Sequence, residues 1–113
     1  MVVWTDNAIS HITEFIDETR EGTEETAKTY MRKLEDYTDT LETMPEIGKK
    51  TNFYISDYEI RQMIYKKHRI FYNIKGKDVV ILAIIHTKLD VGKALRKLKH
   101  PSRSKRLKDF LDR

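Results

Sequence analysis

No cysteine occurs in the 113 residues. That excludes a disulfide framework and any zinc site built on thiolates, and it fits a reducing compartment. No apolar run reaches the roughly 18 residues a membrane-spanning helix needs. The opening Met1-Val2-Val3-Trp4 lacks the basic flank and long apolar stretch of a secretory signal, so a cytoplasmic protein is expected. There is no glycine-rich phosphate loop, nucleophile elbow or paired-carboxylate signature, which argues against enzymes of those types. The four histidines, His11, His68, His86 and His100, are too dispersed to read as a metal site, and no cofactor is expected. His11 and His100 read as plain surface residues. No internal repeat or low-complexity segment appears. A chain of this length is one domain with room for a real core.

Charge is abundant and unevenly laid out. Residues 1–47 hold four basic and twelve acidic side chains, a net of −8. Residues 48–113 hold eighteen basic and six acidic, a net of +12. Such a split concentrates positive potential on one half, where it attracts phosphates or an acidic protein partner.

The acidic half reads as helical. Val2-Val3-Trp4 is a short strand signal. Thr5 is placed to cap a helix whose first turn holds Asp6. Ala8, Ile9, Ile12, Phe15, Ile16 and Thr19 fall on one helical face. Gly22 ends this helix and Thr23 caps a second. Ala27, Tyr30, Met31, Leu34, Thr38 and Leu41 form the stripe of that second helix, completing an antiparallel hairpin. Met44-Pro45 breaks it, and Ile47-Gly48 turns the chain onward.

The basic half is organised around Tyr58 to Asp90, which carries three consecutive strand signals. Ile60, Ile64, Ile70, Tyr72 and Ile74 sit at period two, read as one apolar face. Arg61, Lys67 and Arg69 share the other parity, with His86 and Lys88 at the far end. Lys75-Gly76-Lys77-Asp78 is a tight turn. Val79 to Ile85 is apolar on both parities, as a central strand covered on both faces should be. The expectation is a three-stranded antiparallel meander with core on one face and Arg, Lys and His on the other. Arg69, Arg61 and Lys88 are expected to converge on the helix-free face.

After the meander, Asp90 can cap a short helix holding Val91, Ala94, Leu95 and Leu98, stopped by Pro101. The expected organisation is a domain over residues 1–100 and a basic extension over 101–113. Leu107, Phe110 and Leu111 have the spacing of a last helical turn or two.

Strand, two helices and meander, in that order, resemble the RelE/ParE superfamily of type II toxin–antitoxin toxins. Val3-Trp4-Thr5 before an amphipathic helix resembles that family's opening. Leu41 to Gly48 (LETMPEIG) resembles its Leu…Pro…Gly connection. His68-Arg69-Ile70-Phe71-Tyr72 resembles its Arg-bearing strand, and Val80 through His86 to Asp90 its closing strand. The resemblance covers residues 2 to 98. It implies an α+β fold, with an N-terminal strand and a helical hairpin on an antiparallel three- to four-stranded sheet, then a short C-terminal helix.

It also implies a cognate antitoxin partner in a hetero-oligomer, and two alternative targets. RelE-like members cut messenger RNA on the ribosome. ParE-like members inhibit DNA gyrase and are not known for nuclease chemistry. RNA scission needs a base, positive charge at the phosphate and an acid. Arg69 matches the family's strand arginine, with Arg61, His86 and Lys88 as the remaining catalytic candidates if the chain is RelE-like. Glu59 falls near a position where those enzymes carry lysine, so the set is partial. His86-Thr87-Lys88-Leu89-Asp90 keeps the histidine and aspartate of the ParE-like ending. The balance tilts toward the ParE-like branch, whereas a degenerate member that only binds antitoxin or nucleic acid is a third reading.

Overall fold

The computed structural model describes residues 1–18, 24–55, 58–90 and 104–105. The elements run β1 (Val2–Thr5), α1 (Asp6–Glu18), α2 (Glu24–Asp39), one 3-10 turn (Thr40–Glu42), β2 (Lys49–Ile55), β3 (Tyr58–Tyr65), β4 (His68–Lys75), β5 (Asp78–His86) and β6 (Ser104–Lys105). This is an α+β fold with the two helices on one face of a mostly antiparallel sheet. The strand order is β2-β3-β4-β5-β1-β6.

The start of α1 ties it to the sheet. Thr5 Oγ1 accepts the Ala8 N–H at 3.2 Å as a helix N-cap and donates to the Leu82 carbonyl, also at 3.2 Å. One buried hydroxyl thus satisfies a free helix donor and a free strand acceptor. β1 runs parallel to β5, with Val3 opposite Val80. The other neighbours in the sheet pair antiparallel.

The helix-side core joins Trp4, Ala8, Ile12, Met31, Leu34 and Leu41 to Ile70, Tyr72, Ile81 and Ile84. The opposite face has its own buried cluster of Ile60, Phe71, Val80, Leu82, Ala83 and Ile85. The expectation of one apolar face and one basic face is therefore corrected, and register gives the reason. The β3–β4 connection is a two-residue turn that pairs Tyr65 with His68, so odd residues of β3 share a face with even residues of β4. Ile60 and Ile64 consequently lie opposite to Ile70 and Tyr72, and Ile64 is half exposed. The β4–β5 register also shifts between Phe71 and Tyr72, partnered by Ala83 and Ile81. That bulge reverses parity again along β5.

β2 is a strand that the sequence reading did not place. It lies at the sheet edge, and its register with β3 breaks between Lys50 and Tyr54, so no alternation survives to mark it. The Gly22–Thr23 helix junction, the Val91–Leu98 helix and the Leu107–Leu111 turn lie outside the described residues. Ser104 and Lys105 pair antiparallel with Thr5 and Trp4.

Candidate functional site

The four sequence candidates do not form one constellation. Arg61 pairs across the ladder with Tyr72, on the helix side. Its guanidinium Nη1 donates to the Glu46 carbonyl at 3.1 Å and the Gly48 carbonyl at 3.0 Å. Arg69 pairs with Ile64 and Ile85, on the other face. His86 pairs with His68, back on the helix side. Lys88 is exposed in the turn beyond β5, where its N–H donates to His86 Nδ1 at 3.1 Å. The expected convergence of Arg69, Arg61 and Lys88 on one face is corrected. The two-residue turn sends Arg61 and Arg69 to opposite faces, and the bulge separates Arg69 from His86.

Arg61 instead clamps the connection from the helices to β2. Tyr72 completes the clamp. Its hydroxyl donates to the Pro45 carbonyl and accepts the Gly48 N–H, both at 2.8 Å. Burial pushes the Tyr72 phenol above its ordinary range, keeping that hydroxyl protonated to donate. The Leu…Pro…Gly connection thus has a physical meaning. Proline ends the helical run, and glycine lets the backbone lie against a tyrosine ring. Arg61→Ala should destabilise the fold by about 1–2 kcal/mol through two lost charged hydrogen bonds, with Arg61→Lys retaining part of the effect. Chemical denaturation of both variants measures this.

Arg69 is partly exposed, but its Nε is buried and unpaired. Asn73, four residues on along the same strand, is buried with both amide atoms unpaired. The sheet face away from α1 and α2 therefore holds unsatisfied polar groups amid its apolar cluster.

A second feature went unseen in the sequence. A cleft of about 290 Å³ opens on the helix side between α1 and the ends of β4 and β5. His11, Glu14, Phe15, His68, Ile84, His86 and Leu89 line it. His11 is not a plain surface residue: its Nδ1 accepts the Ile84 N–H at 3.2 Å. β1 pairs with β5 only as far as Ile81, so the ring satisfies a backbone donor the ladder has left open. His68 is buried, and its Nδ1 is hydrogen-bonded to the Tyr30 hydroxyl at 2.7 Å. Its ring meets Phe15 edge-on at 4.6 Å between centroids and His86 at 5.5 Å. Burial, with His86 adding to it, pulls the His68 pKa down to about 4. Burial likewise lowers His11, against the opposing pull of Glu14. Tyr30 is pushed up to about 12, chiefly by burial. Helix periodicity put Phe15 and Tyr30 on buried stripes. Nothing local announced that three histidines distant in sequence would meet there. Among the described residues, no group of acidic, histidine or cysteine side chains has the arrangement to hold a metal ion.

A strand feeding a helix pair, packed on a meander whose closing strand pairs with the first, defines a RelE/ParE-like toxin fold. Over residues 2–91 the chain matches the family described as the ParE toxin of the type II toxin–antitoxin system parDE, and it belongs to that family. It is also 36% identical over 106 residues to a protein of a Bacillus species described as RNA polymerase sigma factor SigA. That match covers 91% of this chain but 26% of the relative, so the chain spans about a quarter of that protein's length. No helix among the described residues is long and apolar enough to cross a membrane.

Proposed function

We propose that the protein is the toxin of a type II module, that it inhibits DNA gyrase, and that a cognate antitoxin neutralises it. The observation that carries the choice of target is the separation of Arg61 from Arg69. RNA scission at a phosphate wants several cations and a proton donor gathered on one surface. Here Arg61 is engaged by two backbone carbonyls on the helix side, while Arg69 stands on the opposite face. Inhibition of gyrase by binding needs no such constellation. In this reading Lys88 and the basic residues after it supply the contact with the target, and Arg69 contributes charge rather than chemistry. The acidic surface expected of an antitoxin matches the +12 half of the chain, where opposite charge speeds association.

Expression in growing cells tests the assignment. Arg69→Ala should still arrest growth, whereas Lys88→Ala and truncation after His100 should weaken arrest. Loss of toxicity on Arg69→Ala alone, with the other two fully toxic, would favour messenger RNA cleavage instead. Co-expression with the product of the adjacent reading frame should restore growth and yield a complex that holds at low salt.

A further inference from the structure

The cleft on the helix side lies across the sheet from Arg69 and is independent of the proposed target. Its chemistry follows from where the imidazole protons must sit. Ile84 N–H donates to His11 Nδ1, and Lys88 N–H donates to His86 Nδ1. A ring that accepts at Nδ1 while neutral carries its proton on Nε2. In the third ring, His68 Nδ1 shares a hydrogen bond with the Tyr30 hydroxyl at 2.7 Å. His11 and His86 therefore each carry an Nε2–H while neutral, and these rings then bring no formal positive charge to the cleft. Phe15, Ile84 and Leu89 supply apolar walls, and Leu89 is largely exposed. The exposed Glu14 adds a negative charge to the lining.

We propose that this cleft binds an uncharged, planar small molecule bearing hydrogen-bond acceptors, held by the Nε2–H groups of His11 and His86 beside the His68 ring. A cavity of about 290 Å³ suits one or two fused rings. Anions are disfavoured because Glu14 repels them and, among the described residues, no lysine or arginine lines the cleft. Purely apolar rings are disfavoured because they leave desolvated donors unpaired.

Three probes of similar size separate these chemistries: quinazolin-4-one, neutral with ring and carbonyl acceptors; benzoate, an anion; and indene, with no polar acceptor. Imidazole resonances of the full chain are followed by NMR near neutral pH, where long-range nitrogen couplings also read each tautomer. Quinazolin-4-one should produce saturable shifts at His11, His68 and His86, with benzoate and indene binding at least about tenfold more weakly. Glu14→Gln, at an exposed site, should narrow the gap for benzoate and leave quinazolin-4-one unchanged. His86→Leu should weaken quinazolin-4-one by about three- to tenfold, the loss of one neutral hydrogen bond. Equal binding of indene, tighter binding of benzoate, or no saturable shift with quinazolin-4-one would overturn the proposal. The probe comparison on the unsubstituted protein stands whether or not a variant folds.

Discussion

Gly48→Ala is expected to be among the most damaging single-methyl additions in this chain. A Cβ there overlaps the Tyr72 hydroxyl and falls 2.6 Å from Cε1 and 2.8 Å from Cζ of the same ring. Tyr72 cannot swing away. It is fully buried, and its hydroxyl is fastened to Pro45 and Gly48 on one connection. Either the loop lifts and both bonds break, or the ring leaves its place in the core. Overpacking of this kind costs about 1–3 kcal/mol, and the two lost hydrogen bonds add about 1 kcal/mol each. A drop in melting temperature on the order of 10–20 °C follows for a domain of this size. Tyr72→Phe alone should cost about 1–2 kcal/mol through the hydroxyl. It should not rescue Gly48→Ala, because the ring carbons still collide. An unchanged melting temperature for Gly48→Ala would show that the clamp is not a rigid part of the fold.

The second large effect is a loss of stability in acid centred on His68. In the unfolded chain this imidazole titrates near 6.5, and in the folded chain near 4. The unfolded state takes up the proton first, so lowering the pH favours unfolding. The contribution is complete above pH 6.5, erodes as pH falls toward 4, and is gone below that. A shift of this size corresponds to about 3 kcal/mol. His11, lowered in the same direction, adds to the same slope. Because carboxylates also protonate in acid, the difference between two proteins is the informative quantity. His68→Phe keeps a ring against Phe15 and Tyr30 but removes the titration. Denaturant unfolding between pH 7.5 and 4, read at each step, should give a flatter profile for the variant. Parallel profiles would mean that His68 is not held neutral by the fold.

The fold was legible where its signals are local. Thr5 as a cap, the stripe through Met31, Leu34 and Leu41, and the turn at Gly76 each rest on a few neighbouring residues. The sides of the sheet were not legible in the same way. Parity within one strand says which residues share a face. It does not say how that face continues through a two-residue turn or past a bulge, and both occur between Arg61 and His86. Hence Arg61 and Arg69, which look equivalent in sequence, have opposite surroundings. The histidine cleft was hidden for a related reason. His11 reads as polar and hence exposed until the ladder with β1 ends at Ile81 and leaves the Ile84 N–H to be satisfied.

One parallel assay distinguishes the two targets. Purified protein is added to DNA gyrase supercoiling relaxed plasmid and, separately, to ribosomes translating a defined messenger RNA. The proposed function predicts dose-dependent loss of supercoiling, reversed by the cognate antitoxin, with the messenger RNA intact. Unimpaired supercoiling together with ribosome-dependent cleavage of the message would contradict it.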